Sequence, residues 1–120
     1  MLGPQRYADV VESHGRRLHE LGPGVVGFDR AGAILALDSL NGIGVAIARG
    51  EVVRMAGERP DYTTDVWRCD RIVGEDQDHY CRRSAREAEE FIHSYPDPGD
   101  GEVLYVLVIS SGAEGLRRAA

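Results

Sequence analysis

The sequence predicts an α+β domain: a curved, mostly antiparallel sheet of about six to seven strands, with an N-terminal helix and a second helix before the last strand. Three observations carry that expectation. The chain opens on an apolar stripe of helical period, continues as short apolar segments divided by turn residues, and closes on a second helical stripe followed by a continuous apolar run. With 120 residues there is chain for one domain, 1–120, with 113–120 expected as a frayed tail.

Pro4 to Leu21 reads as the first helix, because Tyr7, Val10, Val11, His14, Leu18 and Leu21 recur at spacings of three and four. Gly22-Pro23 stops it, since glycine suits the residue after a helix and proline cannot continue one. From Val25 to Ala56 the pattern turns to strands: VVGFD, a turn at Asp29 to Gly32, then AILALDS, an Asn41-Gly42 turn, IGVAIAR, a reversal at Arg49-Gly50, and EVVRMA. Ala33–Asp38 and Ile43–Ala48 are apolar on both faces and are expected at the sheet's centre. Met55 to Asp65 is polar, carries Gly and Pro, and is expected as a mobile loop.

Val66 to Arg83 holds the single tryptophan and both cysteines, and reads as a hairpin turning at Gly74-Glu75-Asp76. Ser84-Ala85-Arg86-Glu87 has capping-box spacing, which starts a helix running to about Tyr95. Pro96 to Gly101 breaks it. Val103 to Ile109, VLYVLVI, is the composition of a strand buried on both faces.

Composition limits function. The net charge is −6 and all 14 basic residues are arginine, so lysine-based Schiff-base or P-loop chemistry is absent. The acidic balance argues against nucleic-acid binding, which requires phosphate neutralisation. No apolar run reaches the roughly 18 to 20 residues of a membrane span. The opening residues lack a signal-peptide pattern, so the expectation is a cytoplasmic protein. There is no HExxH, GxSxG, GxxxxGK or CxxC motif and no triad pattern, so an enzyme is unsupported and no cofactor is expected.

In the hairpin register, Cys69 faces Cys81 and Arg71 faces His79, placing Cys69, His79 and Cys81 on one side. Three states fit: reduced packing thiols as the leading reading, a cross-strand disulfide, or a metal held by those three residues without a fourth ligand.

GFDRAGAILALD and the following GVAI resemble a strand pair of the SUKH superfamily of bacterial immunity proteins, and SAREAEEFIHSY resembles its late helix. The first helix lacks that family's Trp and Leu-Pro signature. The resemblance implies a toxin-neutralising or other protein-binding role, with a basic toxin as a partner that would suit the net charge. Candidate partner-binding residues are then Arg59, Asp61, Tyr62 and Asp65 in the polar loop and Glu75, Asp76 and Asp78 in the acidic turn. The alternative is a small-molecule-binding or catalytic α+β cone, its pocket between helix and sheet lined by His14, Asp38, Trp67 and Tyr105.

Overall fold

The computed structural model describes residues 6–110; the tail expected at 113–120 and the helix start expected at Pro4 lie outside them. Among the described residues there are three α-helices, α1 (Tyr7–His14), α2 (Arg30–Gly42) and α3 (Gln77–Ser94), and five strands, β1 (Gly15–Arg17), β2 (Val26–Phe28), β3 (Ile47–Ala56), β4 (Arg59–Arg68) and β5 (Val103–Ile109). The strands form one sheet in the order β1-β2-β5-β3-β4, every pairing antiparallel. The α+β antiparallel class holds, with fewer strands than expected and one more helix.

The apolar run of β5 lies at the middle of the sheet, and it is buried on both faces. Val103 and Tyr105 join Val10 of α1, Leu37 and Leu40 of α2 and Ile92 of α3 in the main core. Leu104 and Val106 face the other way and pack with Val53, Met55 and Leu18. The segment from Leu18 to Val25, with a short 3-10 turn at His19–Leu21, covers that second face. The helix expected through Leu21 therefore ends at His14. Gly15 turns the chain so tightly that a Cβ there would lie 2.6 Å from the Val11 carbonyl oxygen.

Ala33–Asp38 is not a strand; it lies inside α2. Asp29 caps that helix, its Oδ1 accepting from the Gly32 amide at 2.7 Å. A short apolar run fits either period, and the cap decides for the helix. Arg49-Gly50 is not a reversal, because β3 runs straight through it. Gly50 is there because Trp67 of β4, its register partner, lies where a side chain would be.

Met55–Asp65 is a hairpin, not a loop: Gly57, at φ +63°, starts the two-residue turn that joins β3 to β4. A register shift opposite Glu51 to Val53 bulges β4, where the Thr63 hydroxyl donates to the Val52 carbonyl at 2.9 Å.

Candidate partner-binding surface

The expected hairpin from Val66 to Arg83 does not form. Trp67 ends in the core, tilted against Phe91 with ring centroids 4.6 Å apart, and β4 stops at Arg68. Asp76 then caps α3 by accepting from the His79 amide at 2.7 Å, so α3 begins at Gln77, a full two turns before Ser84. Ser84 is an interior, buried residue. Its Oγ accepts from the Ile47 amide at 3.0 Å and so ties α3 to the start of β3.

Between β4 and α3 the chain forms a tight clasp, residues 69–76. The Cys69 amide donates to the Ala48 carbonyl at 3.0 Å, and the Tyr80 hydroxyl donates to the Cys69 carbonyl at 2.7 Å. Ile72 to Glu75 is a turn closed by the Glu75 amide on the Ile72 carbonyl at 2.9 Å, with Gly74 at φ +86° in the position that needs a left-handed residue. The Glu75 carboxylate points inward, with its side chain 4% exposed. It takes both Nε and an outer nitrogen of Arg83 at 2.7 Å, accepts from the Ile72 amide at 3.1 Å, and meets His79 Nδ1. Arg83 also donates to the Asp70 carbonyl at 2.7 Å and to Glu87 at 3.0 Å. The bidentate Arg83 fork holds the Glu75 carboxyl far below the usual carboxylate range, against the opposing effect of burial.

This geometry redistributes the residues expected to act. Glu75 is an internal anchor, Asp76 a helix cap, and of the acidic turn Asp78 stays free on the surface. Arg59, Asp61, Tyr62 and Asp65 are exposed on β4, an edge strand, where Asp65 accepts from the Tyr95 hydroxyl at 2.6 Å. Tyr62 pairs with Val53 and Val66 with Glu51, so both stand on the face away from the helices. Arg59 begins β4 at the hairpin and Arg68 ends it at the clasp, roughly 30 Å away at about 3.3 Å per residue. The candidate residues of the loop therefore lie along β4, and those of the acidic turn lie beyond its clasp end.

Cys69, on the clasp, and Cys81, inside α3, do not face each other across a hairpin. Both are free, buried thiols that pack with Ala46 and Tyr80. The Cys69 thiol donates to Glu87 at 2.8 Å; burial, then that carboxylate, push its pKa up to about 12. His79 points to Glu75 instead, and no group of three or more His, Cys, Asp or Glu among the described residues is placed to hold a metal ion. The four expected pocket residues do not converge. His14 and Asp38 are exposed on α1 and α2, while Trp67 and Tyr105 fill the core between helices and sheet. A shallow groove lies at the opposite end of the molecule, between Ile34 and Leu35 of α2 and the 97–101 loop.

The sequence reading missed the clasp's outer edge. Ile72 and Val73 are 58% and 101% exposed, the most open of the large apolar side chains among the described residues. Ile43, also exposed, sits on the next turn, which Gln77 joins by donating to the Gly44 carbonyl at 3.3 Å. The signal was present as Ile-Val-Gly-Glu: apolar residues at the head of a turn whose third position is glycine.

A family model described as Immunity protein 40 matches residues 17–109. The chain belongs to the Immunity protein 40 family. The match runs from the last residue of β1 to the last of β5, so it spans the clasp, β4 and the whole sheet core but leaves out α1. It supports the immunity-protein character that the SUKH resemblance implied, and not that superfamily in particular. No curated protein and no solved structure matches the chain. Membership in an immunity family implies a toxin protein as the binding partner. No helix among the described residues is long and apolar enough to cross a membrane.

Proposed function

We propose that this protein neutralises a toxin in the cytoplasm by binding it as a folded, non-catalytic partner, with its acidic charge favouring a basic toxin. The family match over residues 17–109 carries this reading. The net charge of −6 supports the polarity of the pairing, because opposite fields speed encounter and disfavour acidic competitors. The frame of the clasp supports binding without chemistry: the Glu75 and Glu87 carboxylates are paired with the Arg83 guanidinium, and the Cys69 thiol is buried and protonated at neutral pH.

Growth rescue tests the proposal. Toxin domains encoded beside this chain are expressed alone and together with it in a bacterial host. The expected result is arrest by one such domain alone, with growth restored and a stable complex on gel filtration when both are made. Persisting arrest with every neighbouring domain, while the chain accumulates in soluble form, overturns it.

A further inference from the structure

We propose that the turn carrying Ile72 and Val73 is the element that enters the toxin, and that it fits an apolar recess bordered by cationic side chains. The inference rests on the toxin-binding reading above and names the surface that performs it.

Val73 at full exposure contributes nothing to the fold that displays it, and Ile72, more than half exposed, contributes little, since the hydrophobic effect rewards only what leaves water. The chain nevertheless holds them in place. Arg83 ties both ends of the clasp through Glu75 and the Asp70 carbonyl, the Ile72 amide is fixed on Glu75, and Tyr80 holds Cys69. An apolar tip on a loop already ordered loses little conformational freedom when it docks, which is the condition for strong binding from a small area.

Charge selects the occupant. Within residues 70–79, three carboxylates, Asp70, Asp76 and Asp78, are exposed against one exposed guanidinium, that of Arg71, which donates to the Glu75 carbonyl and to Gln77 at 3.1 Å each. Glu75 is already paired with Arg83. The rim around the aliphatic tip is therefore acidic, and it matches a recess with basic edges rather than a second copy of the same acidic surface.

The test uses the toxin domain found by growth rescue and measures its affinity by titration calorimetry for four forms of the full chain. These are the wild type, Ile72→Asp/Val73→Asp, Tyr62→Asp on β4, and Leu35→Asp in the distant groove. All four positions are exposed, and circular dichroism with thermal melting confirms that each variant is folded. The paired variant should bind at least about 30-fold more weakly, as expected on losing a central apolar anchor, and should no longer rescue growth. Leu35→Asp should bind as the wild type does. Wild-type affinity in the paired variant overturns the proposal, as does a loss seen in Tyr62→Asp alone, which would place the interface on the edge strand. A wild-type chain that binds no toxin instead overturns the functional reading itself.

Discussion

Gly50 and Trp67 show how much a single position can decide. A Cβ at Gly50 would overlap the indole ring, which is itself fixed against Phe91. Gly50→Ala is therefore expected to destabilise the fold by about 1–3 kcal/mol, the usual cost of overpacking a close-fitted core, and a urea titration followed by Trp67 fluorescence would read it. Glu75 gives the second residue-scale prediction. Its carboxyl is held well below the range it has in an unfolded chain, so its ion pair contributes fully above about pH 4.3. That contribution drains away as pH falls further and the native carboxylate is protonated. Glu75→Gln should accordingly flatten the acid side of the stability curve, seen as a smaller fall in urea midpoint between about pH 5 and about pH 3 than the wild type shows. None of this was legible from sequence, where Glu75 looks like one more acid in a solvated turn. Its partner is eight residues away, and only the start of α3 at Gln77 brings Arg83 back over the turn.

At the level of elements, a long run with no polar face has one solution, whereas shorter runs and helical stripes depend on caps and on what they pack against. VLYVLVI had no polar face to offer water, and β5 is the central strand. AILALDS opens on five apolar residues, but a run that short fits a helix or a strand, and Asp29 decided for the helix by capping it. Ser84 and Glu87 have capping-box spacing in the middle of α3, where that spacing simply places both on one helical face. The Ser84 hydroxyl serves the Ile47 amide instead. Ser84→Ala leaves that buried amide without a partner, and should cost about 1–3 kcal/mol; the check is the thermal midpoint together with faster hydrogen exchange at Ile47.

The whole molecule is organised by the two faces of β5. The helices cover one face and Leu18 to Val25 the other, which leaves β4 and the clasp as the outer margin. That margin carries the exposed side chains Tyr62, Val66, Ile72 and Val73. With a net charge of −6, association with a basic toxin should slow as salt screens the attraction, by about tenfold or more in on-rate between low and high ionic strength. Stopped-flow mixing at several salt concentrations would measure this, and a salt-independent rate would exclude a basic partner.

Composition and apolar patterning alone determined the α+β class, the antiparallel habit, the buried final strand and the acidic character. These follow from local properties: how many apolar residues run together, where glycine and proline interrupt them, and the sum of charge. The tertiary structure decided which apolar runs are helices, that Cys69 and Cys81 do not face each other, and that Glu75 braces a loop while Ile72 and Val73 stand outside it. Those outcomes depend on caps, on register between strands, and on an ion pair whose partners meet only once the start of α3 is set. A pattern read one window at a time contains no distance between such residues.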